Sequence, residues 1–212
     1  MCQVHKRNRP PINHHPLRPS LPEGTNSRIH CDLIGPLPIT AADHVYALVM
    51  VDSFTKWASV VPLRSKEGGE VANAIINNWY SIFGVPYEIQ SDQGPEFCND
   101  LLRRLNELMS VGHRVTTPYY PQANGQVERF NRTLKTSVSI YAESHPSNWD
   151  KYINGICWAY NSSLNPQTGF TPFYLTFGRE PRLPTDIFHG PVKELRYNIL
   201  QYGSTLYATR MI

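Results

Sequence analysis

Three carboxylic acids in this 212-residue sequence stand where chemistry could use them. Asp32 lies near the end of an alternating segment, residues 28–34, that reads as a strand. Asp92 directly follows a short strand-like segment, residues 87–90, within Ser91-Asp92-Gln93-Gly94. Glu128 lies in the first turns of a long helical stretch. Neighbouring strands of one sheet can bring Asp32 and Asp92 together, and a helix laid across the strand ends can add Glu128. Three converging carboxylates repel one another unless a cation neutralises them. An oxygen-only donor set of this kind suits Mg²⁺ or Mn²⁺. A pair of such ions, about 3.5–4 Å apart, can stabilise the attacking and leaving oxygens of a phosphoryl transfer. Taken singly, each acid fits an ordinary strand end or solvated face as well; the combination carries the reading.

The long helical stretch, residues 125–142, adds a second constellation. At roughly 100° per residue, Val127, Phe130, Leu134, Val138 and Tyr141 form an apolar stripe, and Glu128, Arg132, Lys135 and Ser139 form a separate polar one. One face can bury while the other presents a carboxylate, with Arg132 and Lys135 one and two turns further on. Such cations beside a metal-binding acid could hold a nucleic-acid backbone. A Glu–Arg pair at i, i+4 on a solvated face is the plainer alternative.

The elements that must position these groups read as an α/β layer. Strands are expected at residues 28–34, 44–54, 59–63, 87–90 and 115–117. A helix capped by Ser65 should carry Val71, Ile75, Trp79 and Phe83 inward and stop at Gly84-Val85-Pro86. A second, residues 96–109, should bury Phe97, Leu101, Leu105 and Leu108. A last one, opening at Pro146-Ser147, has an apolar stripe of Trp149, Tyr152, Ile153, Ile156, Cys157 and Tyr160. Three strands on short links suggest an antiparallel meander, and the strands separated by helices suggest parallel additions.

Composition sets the outer limits. With 41% hydrophobic and 17% charged residues, the chain falls in the globular rather than the disordered class. The net charge of +3 is uneven. Lys6, Arg7, Arg9, Arg18 and Arg28 against Glu23 give residues 1–30 a balance of +4, which leaves −1 for the rest. The first 22 residues hold five prolines and read as a basic linker. The longest apolar run, residues 45–51, is seven residues, against about 20 for a membrane helix. The scattered cysteines, Cys2, Cys31, Cys98 and Cys157, have no framework spacing and read as free thiols.

Three stretches resemble the catalytic core of retroviral-type integrases, nearest those of Ty3/Gypsy-like long-terminal-repeat retrotransposons. They are Asp32-Leu33-Ile34-Gly35-Pro36-Leu37-Pro38; Ser91-Asp92-Gln93-Gly94-Pro95-Glu96-Phe97; and the run from Tyr120 to Lys135 containing Asn124-Gly125-Gln126-Val127-Glu128-Arg129-Phe130-Asn131-Arg132. The 35 residues between Asp92 and Glu128 match that family's spacing. Phe177-Gly178-Arg179-Glu180-Pro181 fits it too. The resemblance implies an RNase H-like fold, a five-stranded mixed sheet flanked by helices. It further implies two Mg²⁺ or Mn²⁺ ions on Asp32, Asp92 and Glu128, and DNA contacts from Asn124, Asn131, Arg132 and Lys135. The implied chemistry is 3′-end processing and strand transfer of DNA, in a homo-oligomer working in the nucleus. The expected divisions are a linker at 1–22, the core at 23–165 and an extension at 166–212. Cys2-Gln3-Val4-His5 matches only the end of the family's zinc-binding module, so no zinc site is expected. The rival reading is a domesticated or truncated module that binds nucleic acid or protein without catalysis.

Overall fold

The computed structural model of the chain describes residues 24–116 and 135–184. The basic linker and Asn124, Glu128, Asn131 and Arg132 lie outside the described residues. Five strands form one sheet in the order β3-β2-β1-β4-β5: β1 (Arg28–Ile34), β2 (Tyr46–Asp52), β3 (Ala58–Leu63), β4 (Glu88–Ser91) and β5 (Gly112–Val115). The first three are an antiparallel meander, and β4 and β5 add in parallel beside β1. This is the mixed sheet expected from the sequence. Its physical cause is connection length: the early links are loops, whereas the chain crosses through helices before β4 and again before β5.

Helices cover both faces. On one side α1 (Gly68–Ile75) runs through a π-helical turn, Ile76–Tyr80, into α2 (Ser81–Phe83), and α3 (Asp100–Leu108) lies beside it. Val71, Ile75, Trp79 and Leu102 there pack on Ile29, Cys31, Leu48, Met50 and Ile89. On the other side lie α4 (residues 135–144) and α5 (Ile153–Asn161), the latter entered through a 3-10 turn, Trp149–Tyr152. Val138, Ala142, Trp149 and Ile153 pack there on Ile34, Ala47, Val49, Val51 and Val60. Because helices close both faces of β2, its apolar residues run on without alternation. Finally, α6 (Pro172–Phe177) is capped by Thr171, whose hydroxyl accepts the Tyr174 N–H at 3.0 Å. It sets Phe173 and Phe177 edge-on to Trp57.

Two helix readings need correction. Ser65 does not cap α1; the Glu70 carboxylate reaches back to accept the N–H groups of Arg64 and Ser65 and the Ser65 hydroxyl. The second helix begins at Asp100 because Asn99 caps it, accepting the Leu102 N–H at 2.9 Å. Phe97 is therefore buried from the preceding turn and does not set the helical phase. Leu102 turns inward, and Leu101 and Leu108 are left 52% and 83% exposed.

Two polar contacts fasten the α4–α5 layer. Buried Asn161, at the end of α5, donates to the Ala58 carbonyl at 2.8 Å and accepts the Ala58 N–H at 2.9 Å, imitating a neighbouring strand. Its replacement by alanine orphans two buried backbone groups, each costing about 1–3 kcal/mol. Asn161→Ala is expected to lower the unfolding free energy by about 2–4 kcal/mol in urea titrations, whereas the exposed Ser163→Ala should change it by less than about 0.5 kcal/mol.

The second contact joins the loop after β1 to the turn before α5. Asp150 Oδ2 lies 2.8 Å from His44 Nδ1 and accepts the Thr40 hydroxyl at 3.2 Å. Burial pushes the Asp150 carboxyl up, but its hydrogen bonds to His44 and Thr40 outweigh this and hold it below the ordinary value. A folded pKa below the unfolded one gives stability that is complete above about pH 4 and is lost as pH falls through the folded value. Between about pH 5 and pH 2.5, the urea midpoint of the wild type should therefore fall more steeply than that of Asp150→Asn.

Candidate active site

Asp32 is the fifth residue of β1 and stands opposite Val49 of β2. Alternation sends Ile29 and Cys31 into the α1–α3 layer and Ile34 into the α4–α5 layer. Asp32 shares the face of Ile34, two residues on. β4 pairs with β1 at a constant offset: Arg28 with Glu88, Ile29 with Ile89, His30 with Gln90. Continued two steps past its last pair, that register would bring Asp32 level with Asp92, one residue beyond the end of β4. Asp32 lies near the end of β1 and Asp92 just past the end of the neighbouring β4.

A charge ladder pins this register. Glu88 pairs with Arg28 at 3.2 Å across β1 and with Arg114 at 2.8 Å across β5. Asp92 itself is exposed, and its Oδ1 accepts the Gly94 N–H at 3.0 Å. Its carbonyl accepts the Ser91 hydroxyl at 2.9 Å, and Ser91 Oγ lies 2.8 Å from His113 Nε2. Burial lowers the His113 pKa, which favours the neutral ring. Ser91 and His113 thus hold the backbone that carries Asp92. Sequence reasoning missed both, although a hydroxyl directly before the acid was a visible signal.

The Asp32 carboxylate is engaged on both oxygens. Oδ1 accepts the Leu33 N–H at 2.8 Å, and Oδ2 is paired with Lys135 Nζ from α4. Lys135, which the sequence reading assigns to DNA, has its ammonium on this acid in the structure. Burial lowers its pKa. Nearby His30 is pulled down to about 3, by burial first and then by the charges of Lys56 and Arg28, so its ring is neutral. Two adjacent carboxylates with oxygen donors only suit a hard divalent cation. Among the described residues no group of three or more His, Cys, Asp or Glu could hold a metal, and the third expected acid, Glu128, lies outside them. The three described cysteines are free. Burial pushes the thiols of Cys31 and Cys157 up to about 12 and about 11, which leaves neither a ready nucleophile. Among the described residues no helix is long and apolar enough to cross a membrane.

The comparisons with known proteins agree with this arrangement. Residues 22–121 match the family model of the integrase core domain. The catalytic core domain of HTLV-2 integrase in complex with magnesium, in its trimeric form, superposes with a TM-score of 0.54 at 22% identity, covering 74% of this chain and 99% of that one. The fold is therefore the RNase H-like fold of retroviral integrase catalytic cores. Among relatives, the human Gypsy retrotransposon integrase-like protein 1 is 33% identical over 158 residues, 74% of this chain. The Pol polyprotein from the Drosophila melanogaster transposon 412 is 28% identical over 182 residues, 86% of this chain. The aligned part of the chain spans 30% of the human protein's length and 15% of the polyprotein's.

If the ladder on Glu88 sets the β1–β4 register, its loss should be felt at both levels. Glu88→Gln leaves two arginines without their acid and is expected to cost about 1–2 kcal/mol in urea unfolding, between the values for exposed and buried pairs. Hydrogen exchange should speed up at the amides of β4 and β5 before those of β2.

Proposed function

We propose that this chain is the catalytic core of a retrotransposon integrase and carries out metal-dependent polynucleotidyl transfer on DNA. The observation that supports the reading is the β1–β4 register, which, continued two residues past its last pair, would bring Asp32 level with Asp92. The family likeness of residues 22–121 supports it independently. Asp32, Asp92 and Glu128 are the residues that would hold two Mg²⁺ or Mn²⁺ ions. Such ions, when bound, neutralise the developing charge on the attacking and leaving oxygens of a displacement at phosphorus.

The protein's own part is positioning and electrostatics. Asp32 and Asp92 sit on the rigid ends of adjacent strands, fixed by backbone donors and, at Asp92, by the Ser91–His113 pair. Lys135, seven residues beyond Glu128 in sequence, would hold a backbone phosphate together with Arg132, Asn124 and Asn131. The displacement needs only a water or a DNA 3′-hydroxyl as nucleophile: its oxygen bonds to phosphorus, its proton leaves to solvent, and the former 3′ oxygen departs. No protein nucleophile enters, in keeping with the inert buried thiols. Assembly as a homo-oligomer on element ends and target DNA is part of the same reading.

The test uses labelled terminal-repeat DNA and a preformed strand-transfer intermediate, in Mg²⁺ and in Mn²⁺. Asp32→Asn, Asp92→Asn and Glu128→Gln should each reduce turnover by about a hundredfold or more, about 3 kcal/mol of barrier, with unchanged circular dichroism. Activity that survives any of them would sink the ligand assignment. Wild-type DNA binding with no turnover in either metal would identify a non-catalytic binding module.

A further inference from the structure

Lys135 has an unexpected partner. The reading of its sequence stripe sends it to DNA phosphate, yet its ammonium is paired with Asp32 Oδ2. The two side chains are about equally accessible, at 32% and 31% of their free surface, so the pair sits at the mouth of the site. The other Asp32 oxygen is already taken by the Leu33 N–H. α4 is held at this place by Val138 and Ala142, buried against β1 and β2, and Lys135 lies one turn before Val138 on the same helix. The lysine is therefore delivered by packing to Asp32. A second carboxylate brought level with Asp32, as the continued β1–β4 register would bring Asp92, adds repulsion that a countercharge relieves.

We infer that Lys135 is a resident counter-ion of Asp32, which must leave before a divalent cation is held there, and that a DNA phosphate is the anion that receives it. The inference rests on the reading of Asp32 as a metal-holding residue. Its logic is competition. An ammonium and a divalent ion on one carboxylate oxygen are like charges a few ångströms apart, and each disfavours the other. Moving Lys135 to a phosphate relieves this repulsion and vacates Oδ2. Metal and DNA then favour each other's binding through a single side chain, and linkage requires the effect to be equal in both directions. In the absence of DNA, the lysine keeps the acids neutralised and metal affinity low.

Mn²⁺ binding to the full chain, followed by electron paramagnetic resonance and calorimetry, tests this without any turnover. Wild type, Lys135→Gln, Lys135→Arg and Asp32→Asn are compared, with and without a duplex of the terminal-repeat end. Thermal unfolding by circular dichroism selects the folded variants. Lys135→Gln should bind Mn²⁺ at least about fivefold more tightly than wild type without DNA. DNA should tighten Mn²⁺ binding by wild type and Lys135→Arg, but not by Lys135→Gln. Should Lys135→Gln fail to fold, loss of the DNA effect in Lys135→Ala replaces it. Unchanged or weaker Mn²⁺ binding by Lys135→Gln, with Asp32→Asn weakened, would overturn the role of Lys135 alone. Full-strength Mn²⁺ binding by Asp32→Asn would overturn the ligand reading itself, and this inference with it.

Discussion

The register of β4 against β1 is the constraint on which the site depends. A parallel strand that slipped by one residue would turn Asp92 to the opposite face from Asp32. The observed offset runs from Arg28–Glu88 through His30–Gln90, and its continuation would bring the two acids level on one face. Three things secure it. Ile29 and Ile89 are buried in one layer, so a slip would expose or clash an apolar row. Glu88 is gripped by arginines from both flanking strands. Past the strand end, the Ser91 carbonyl accepts from both the Thr116 N–H and hydroxyl, and carries the pairing with β5 up to the acid.

The two helical layers divide the work. The α1–α3 layer packs on the larger of the two buried apolar clusters, with Trp79 inserted and its indole N–H satisfied by Asn26. That layer stabilises the sheet from the side away from the acids. The α4–α5 layer covers the same face as Asp32 and is fastened by polar clasps, Asn161 to Ala58 and Asp150 to His44 and Thr40. A helix packed on the Asp32 face can bring charge to that acid, and Lys135 is the example. Gly35 supports this side as well. Its φ of 141° and the nearness of Tyr46 Cδ1, which would lie 2.5 Å from an added Cβ, leave room for glycine alone where β1 gives way to the loop.

Much of this architecture was legible in residue order. Alternation in β1, the unbroken apolar run of β2 and the placement of helices before β4 and β5 define a mixed sheet whichever way its details fall. Asp32 and Asp92 stand out because each adjoins the end of a strand, and motif spacing links them to Glu128. The errors came where a local capping group, rather than apolar periodicity, set the phase. Asn99 starts α3 three residues after Glu96, and so Leu102 is buried and Leu101 is not. Glu70 reaches back to the strand end and takes the bonds that Ser65 was expected to make at the helix. Such choices turn on one hydrogen bond of about 1 kcal/mol, too little to show in a pattern of hydrophobic residues.

What the sequence by itself determined is the list of reactive groups and the elements that carry them, because residue type and periodicity are local properties. Which groups meet is not local. The β1–β4 offset, the support of Asp92 through Ser91 by His113 from the next strand, and the pairing of Lys135 with Asp32 across 103 residues of chain were decided only by tertiary structure. Each depends on how two layers of side chains pack against one sheet, and packing sums many weak contacts from distant parts of the chain. A lysine that reads as a phosphate ligand on its own helix becomes the counter-ion of an acid once that helix lies across the sheet.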